Sequence, residues 1–283
     1  MIDNNNPKIL ILVLCSRQYL SFISSKAQKK IWADYKKIYN IHHFVGNPFE
    51  EQREVDYISA DNNNYLVINT DDGYPNLAKK TLHAFEYAVH NFEFDYLFRT
   101  NTSSFVDLKK LSHFVKNNSK NLNYSGVVLD VIEGDTIASG AGFFISRKNI
   151  ELILQNDDKF DSSLPDDVAV ARILKKFNIS PNSLPRRDLK SIPKPNTVYE
   201  ASDFHYRCRL DPQFHRILEP LLLKYLNVAS QKKGLLVNFY FHYISLIFKI
   251  SNFKIINKIL QKYYSFKFYG EFNFGNKILF SIK

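Results

Sequence analysis

Lys8-Ile9-Leu10-Ile11-Leu12-Val13-Leu14 is an unbroken apolar run that stops at Cys15-Ser16-Arg17. Short and without polar alternation, it reads as a strand buried on both faces. Two further runs share the plan. Tyr65-Leu66-Val67-Ile68-Asn69 ends in Thr70-Asp71-Asp72-Gly73, and Phe94 to Phe98 ends in Arg99-Thr100-Asn101-Thr102-Ser103-Ser104. Strands of this kind need helices over both faces, and the intervening segments supply them. Ser25 to Tyr39 predicts a helix anchored by Trp32. Pro75 suits the first turn of another, with Leu82, Phe85 and Val89 on one stripe, and Asp107 to Asn117 predicts a third. Further on, Gly126 to Asp130 reads as a strand, Ala138 to Ser146 as a small-residue turn entering a strand, and Lys148 to Leu154 as a helix. After Leu164-Pro165-Asp166-Asp167, Val170, Ile173, Leu174 and Phe177 fall at i, i+3, i+4 and i+7. The alternation predicts an α/β fold with a mostly parallel sheet. Such sheets bind ligands beyond the carboxyl ends of their strands, which makes the polar turns the places to look for chemistry.

The 283 residues suit one large α/β domain or two small ones. Two cysteines, Cys15 and Cys208, provide neither a disulfide framework nor a zinc spacing, and a reduced compartment is the simpler reading. Residues 1–7 are polar and acidic, unlike a signal peptide, and no early apolar run is long enough to span a bilayer. The expectation is a cytoplasmic protein. The net charge of +10 is uneven: from Asp211 onward eleven basic residues face three acidic ones, a balance of +8. A basic surface therefore belongs to the tail. Ile217 to Lys262 predicts helix, and residues 234–268 mix large apolar and aromatic side chains with lysine. This tail fits an interfacial helix on an anionic membrane, peripheral to its cytoplasmic face. It equally fits a helical subdomain packed on the core with its lysines solvated. No nucleic-acid-binding module is present, and no nucleic acid partner is expected.

Four segments in order resemble the β-1,3-glycosyltransferases and Fringe-like enzymes of glycosyltransferase family 31. KKIWADY (29–35) resembles their Arg-x-Thr-Trp region, and DDGYPNLAKKTLHAF (71–85) their Asp-x-Tyr-x-Asn-Leu-Thr-x-Lys-Thr helix. FDYLFRTNTSSFV resembles the strand ending in Asp-Asp-Asp-x-Phe-Val. SGAGFFISRKNIELI followed by LPDDVAVARIL resembles the Gly-Ala-Gly-x-x-x-Ser turn and its downstream Pro-Glu/Asp-Asp-Val segment. The resemblance covers residues 8 to 180 and implies a GT-A, Rossmann-like nucleotide-sugar fold. It places a catalytic domain at 1–215 and a basic, aromatic, mainly helical extension at 216–283. It implies inverting transfer of a sugar, giving a β-linkage, from a nucleotide-sugar (a UDP-sugar) to a hydroxyl of a glycan, lipid-linked or glycoprotein acceptor. The rival reading is a catalytically inactive GT-A fold kept for sugar binding or assembly.

The family's metal-binding carboxylates align with Asn101, Thr102 and Ser103, and no carboxylate follows until Asp107. Neutral oxygens supply no charge for Mg²⁺ or Mn²⁺, so no metal or other cofactor is expected. Alternatively the turn is a plain polar strand end. Without a metal, arginines must hold the leaving diphosphate. Arg207 and Arg209, with His205 beside them, are the first candidates; Arg99 and Arg186-Arg187 are the reserve. Asp167 aligns with the family's base. Asp166 completes the pair as a cap or acceptor contact, and plain helix capping is the alternative for both. Gly140, Ala141 and Gly142 are assigned to the sugar or acceptor, since a missing Cβ permits close approach or φ > 0; an ordinary tight turn is the alternative. Asp71 and Asp72 would hold uracil or ribose, or else cap the turn, and Arg17 would meet the nucleotide. Lys79 and Lys80 read as a solvated helix face and Trp32 as core.

Overall fold

The computed structural model describes residues 7–16, 18–35, 38–46, 56–60, 63–68, 70–131, 134–199, 203–210, 216, 218–231, 234–251, 272–274 and 277–280. The Lys8–Leu14 run becomes β1 (Ile9–Leu14) in the middle of an eight-stranded sheet. Its neighbours are β2 (Asn40–Gly46) and β5 (Tyr96–Asn101), both parallel to it. β4 (Asn63–Ile68) follows β2 in parallel, and β3 (Asp56–Ala60) closes that edge in antiparallel sense. On the other side come β8 (Thr136–Ser146), β7 (Tyr124–Asp130) and β9 (Asn182–Ser183), with β8 running against both its neighbours. Only β3 and β8 thus oppose the common direction, and the expectation of a mostly parallel α/β sheet holds. β6 (Ser104–Val106), β10 (Arg187–Leu189) and β11 (His205–Cys208) form a second, three-stranded sheet.

The apolar run of β1 is continuous because both its faces are covered. Leu10 and Leu12 enter one core with Phe85 and Ala88 of α2 (Leu77–Asn91), Ile150 of α4 (Arg147–Leu154) and Val170 and Leu174 of α5 (Asp166–Lys175). Ile9, Ile11 and Val13 enter the other with Phe22 of α1 (Tyr19–Ile31), Trp32, and Leu111 and Val115 of α3 (Leu108–Asn118). Successive strand residues point to opposite faces, so one strand serves two cores. Each fully buried side chain of this size contributes about 1.5–3 kcal/mol.

Three expectations need correction, and one strand was not read at all. The first helix is Tyr19–Ile31, not Ser25–Tyr39; Gln18 at its N-cap makes no side-chain cap bond, which removes the usual start signal. The sequence pattern hides β2, because His42 and His43 interrupt its apolar run; His43 is nevertheless buried, its Nε2 3.2 Å from Gln28 Oε1. Residues 138–146 form no turn: they belong to one eleven-residue strand that pairs with β5 and β7 and whose register with β7 shifts between Ala138 and Phe143. Lys80 is not solvated. It is fully buried, with Nζ donating to Cys15 O at 2.9 Å and to the Asp72 carboxylate. Lys79 is exposed as expected.

The expected boundary at 215/216 passes through shared packing. α7 (Glu219–Ser230) sends Leu222, Leu223 and Leu226 into a cluster with Ala27 of α1, Phe105 of β6, Tyr206 and Cys208 of β11, and Val198 of α6 (Pro195–Tyr199). α8 (Gly234–Ser251) joins it through Val237 and Ile244. These helices therefore pack on the core. β12 (Phe272–Phe274) and β13 (Lys277–Phe280) pair as a hairpin, while the intervening tail, including the predicted helix beyond Ser251, lies outside the described residues.

The Lys80–Asp72 pair braces the carboxyl edge of the sheet, since Asp72 Oδ1 also accepts from Gly46 N at the end of β2 (2.9 Å). Removing one partner strands a buried charge. Lys80→Met should cost roughly 3–5 kcal/mol of unfolding free energy in urea titration; a loss below about 1 kcal/mol, the scale of a surface pair, would contradict this bracing role.

Candidate active site

Gly140 and Gly142 lie on β8 where its register with β7 shifts, and they face opposite sides of the sheet: Gly140 the side of α5, Gly142 the side of Phe98 and Phe204. A Cβ on Gly140 would stand 2.8 Å from Asp167 Oδ2, and one on Gly142 would stand 2.2 Å from His205 Cε1. Neither residue takes positive φ; Gly134 is the described glycine that does. The absent Cβ atoms make room for the protein's own carboxylate and imidazole, which corrects the expectation of φ > 0 or a bare approach to sugar. Ala141, between them, is buried, and its carbonyl accepts from Thr100 Oγ1 and Ser104 Oγ, each at 3.0 Å.

Asp166 and Asp167 open α5, and the structure gives them different work. Asp166 is buried: Oδ2 accepts from Thr81 Oγ1 at 3.0 Å and from the Arg99 guanidinium. Arg99 is itself buried, and its other nitrogen donates to Gly140 O. Both were expected at the ligand, Arg99 on the donor and Asp166 in the catalytic pair. Each is instead consumed by the other inside the protein. Asp167 is part-buried, with Oδ2 accepting from Gly140 N at 2.7 Å and Oδ1 from Val168 N at 3.1 Å. Burial, reinforced by the Asp166 charge, raises its pKa against the lowering effects of the Gly140 amide and Arg99. The helix N-terminus was expected to lower it, but desolvation wins.

The Asn101–Ser104 turn closes on itself. Asn101 Oδ1 accepts from Ser103 N (3.1 Å), Ser103 Oγ (2.8 Å) and Ser104 Oγ (3.3 Å). Buried Gln28 of α1 clamps both ends, its Nε2 donating to Asn101 O at 3.0 Å and Ser104 O at 2.7 Å. Asp107 is spent as the cap of α3, accepting from Lys109 N and Lys110 N. A divalent cation here would want charged, available oxygens. The Asn101 oxygen is saturated, and among the described residues no three His, Cys, Asp or Glu side chains come together. These residues do not fit a metal at the turn.

Beyond the carboxyl ends of β1 and β5 lies a cleft of about 200 Å³ lined by Ser16, Ser21, Thr102, Ser103, Arg209 and Arg216, among others. Ser21 Oγ accepts from Ser16 N at 2.8 Å and meets Thr102 Oγ1 at 3.1 Å, joining the two strand ends. Arg209 is exposed, and no described side chain or carbonyl takes up its guanidinium. Arg216 is engaged by Glu219 at 2.9 Å. The trio read together from the sequence is thus divided. Arg209 faces the cleft. Arg207 lies 3.7 Å from Asp188, in a separate cluster where Arg186 Nη1 donates to Ser139 Oγ at 2.9 Å. His205 is buried against Gly142. Asp72 is held by Lys80 and Gly46, and Asp71 stays exposed at the end of β4 with Oδ1 accepting from Asp72 N. Arg17 lies outside the described residues. A larger hollow of about 1010 Å³, between α3, Trp32 and the end of α7, shares no lining residue with the cleft.

Sequence reasoning missed Gln28, Thr81, Ser21 and Arg216. Gln28 and Thr81 are buried polar residues within helices, and only the turn and the carboxylate they touch reveal their purpose.

Residues 25–139, less than half of the chain, match the family model described as Galactosyltransferase. No curated protein matches the chain in sequence. Among solved structures, a glycosyltransferase involved in glycosylation of the major capsid of PBCV-1 is similar at 12% identity and a TM-score of 0.48, covering 76% of this chain and 98% of its own. The galactosyltransferase LgtC, solved with donor and acceptor sugar analogs, gives 10% and 0.40, over 77% of this chain and 95% of its own. The mannosyltransferase PcManGT from Pyrobaculum calidifontis, in complex with GDP-Man and Mn²⁺, gives 10% and 0.41, over 94% and 82%.

His205 offers a direct check on this packing. Its Nε2 lies 3.1 Å from Ser104 Oγ, whose own proton goes to Ala141 O or Asn101 Oδ1, so the imidazole donates from Nε2. Burial, with Arg186 adding to it, lowers its pKa to about 3. An unfolded histidine takes a proton near pH 6.5 while the folded one refuses it, so stability falls as pH drops from about 6.5 toward 3. His205→Gln keeps a donor and removes the titration. Between pH 7 and 4.5 the variant should lose roughly 2–3 kcal/mol less stability than the parent. Identical pH slopes would contradict a buried neutral His205.

Proposed function

We propose that the chain is an inverting, metal-independent glycosyltransferase that moves a sugar from a nucleotide-sugar, a UDP-sugar, to a hydroxyl of a glycan, lipid-linked or glycoprotein acceptor. The family match over residues 25–139 and the ordered motifs support the class. The observation that carries the mechanism is a carboxylate held on β8 and an arginine-bearing cleft at the end of β5, the strand paired with it. Asp167, its pKa raised, sits on β8 at Gly140. The cleft with the exposed Arg209 begins at Asn101, next to Thr100 and Ser104, whose hydroxyls hold Ala141 O.

In the transfer, the Asp167 carboxylate takes the acceptor hydroxyl's proton as that oxygen bonds to the anomeric carbon. The bond from that carbon to the diphosphate breaks, and the nucleoside diphosphate leaves with the electron pair. Its growing charge is met by Arg209, with Arg216 and the Ser16, Ser21 and Thr102 hydroxyls lining the same cleft. Desolvation makes Asp167 a stronger base than a solvated carboxylate. The self-satisfied Asn101 turn supports the second reading, an inactive sugar-binding module; nucleotide-sugar binding without turnover distinguishes it.

Asp167→Asn keeps an acceptor for the Gly140 amide and removes the base. Turnover should fall by roughly 10²–10⁴ with donor affinity nearly unchanged. The parent's activity should decline with acidity along a limb set by the raised Asp167 pKa, persist after exhaustive chelation, and gain nothing from added Mn²⁺. Turnover within a few-fold of the parent returns Asp167 to helix capping. Activity abolished by EDTA and restored by Mn²⁺ removes metal independence.

A further inference from the structure

α8 is apolar on two faces, and among the described residues only one has a partner. Val237 and Ile244 are buried, with Tyr240, Phe241, Ile247 and Phe248 packed beside them against α7; the Tyr225 and Phe241 rings stand 6.2 Å apart. On the far side Leu235 (90% exposed), Leu236, Phe239 (65%), Tyr243, Leu246 (56%) and Ile250 face solvent. At 3.6 residues per turn these six fall within about 100° of arc, one continuous stripe. The Phe239 and Tyr243 rings stack on it at 6.3 Å. Single exposed leucines need no explanation, but an aligned set of this size does.

The charge of the surrounding chain selects the occupant. From Pro220 to Gly270 there is no Asp or Glu, while Lys224, Lys232, Lys233, Lys249, Lys254, Lys258, Lys262 and Lys267 give +8. Lys249, exposed on α8, sits beside the stripe. A second copy of the chain would bring the same positive charge against this one, and an ordinary protein partner would not call for so one-sided a field. An anionic lipid surface matches both features at once: lysines at the headgroups, and leucine, isoleucine and phenylalanine at the acyl boundary, with tyrosine at the interface. No described helix is long and apolar enough to cross a membrane. We propose that α8 lies in the plane of an anionic membrane through the Leu235–Phe239–Leu246–Ile250 stripe. This surface is separate from the cleft, and its test does not depend on the donor reading.

The test is flotation of the full chain with vesicles of phosphatidylcholine alone and of phosphatidylcholine with phosphatidylglycerol. Partition should favour the anionic vesicles by roughly ten-fold or more and weaken as salt rises. The combined variant Leu235→Glu/Phe239→Glu/Leu246→Glu changes exposed positions only; its thermal unfolding should match the parent's while binding falls on the order of ten-fold or more. Phe239→Trp gives a second readout, an added emission that shifts to the blue on anionic vesicles alone. Equal binding of parent and triple variant would overturn the proposal. So would an unshifted emission from the Phe239→Trp variant, or a parent that ignores anionic vesicles. A stable dimer in sedimentation velocity that the triple variant dissolves would overturn it in favour of a second copy.

Discussion

The buried pairing of Arg99 with Asp166 sets the geometry of everything around it. One guanidinium, inside the sheet on β5, reaches Gly140 O on β8 and the Asp166 carboxylate at the start of α5, while Thr81 of α2 adds a third hydrogen bond. Two strands and two helices are thereby fixed at one point. Buried ion pairs contribute little net stability, because desolvation cancels most of the attraction. What such a pair does supply is position. Beside the held Asp166, Asp167 accepts from the Gly140 amide. Of two adjacent carboxylates, the structure uses one to aim the other.

The same economy of space governs β8. Gly140 leaves room for Asp167 on one side of the strand and Gly142 for His205 on the other, and the two side chains fill those spaces, His205 on the face of Phe98 and Phe204. Ser104 links this face to the Asn101 turn, hydrogen-bonding to His205, Ala141 and Asn101 in turn. The turn itself is neutral and internally satisfied, so it shapes the cleft without supplying charge. Charge comes from elsewhere in the chain: Arg209 follows β11, and Arg216 precedes α7. A helix packed on α1 thus borders the cleft, since α7 contributes Glu219 to the lining and holds Arg216 in place. Residues beyond 215 therefore belong to the architecture of the site.

The buried strands were legible because continuous apolar runs have few other meanings, and β1, β4 and β5 lie within three residues of where the sequence placed them. Period-3.6 stripes located α2 and α5 for the same reason. Failure came where polarity is buried. Lys80, Arg99 and Asp166 all read as surface or ligand groups, because sequence shows charge but not the partner that neutralises it. The glycines of β8 imitated a turn since the side chains that explain them, Asp167 and His205, lie 27 and 63 residues downstream. Arg207 and Arg209 looked equivalent by alternation, but the strand ends at Cys208; Arg207 lies beside Asp188, and Arg209 faces the cleft.

The central claim is that the cleft beyond β1 and β5 takes a nucleotide diphosphate through arginine and hydroxyl groups alone. Thermal unfolding of the full chain in EDTA, with millimolar UDP, GDP or their sugar conjugates, measures this directly. A ligand present at 100 times its Kd stabilises the folded state by roughly 2.7 kcal/mol, which shifts the midpoint by several degrees. The account predicts such a shift in the absence of metal, and its loss in Arg209→Ala. No shift with any nucleotide, or one that appears only when Mn²⁺ is supplied, would contradict it.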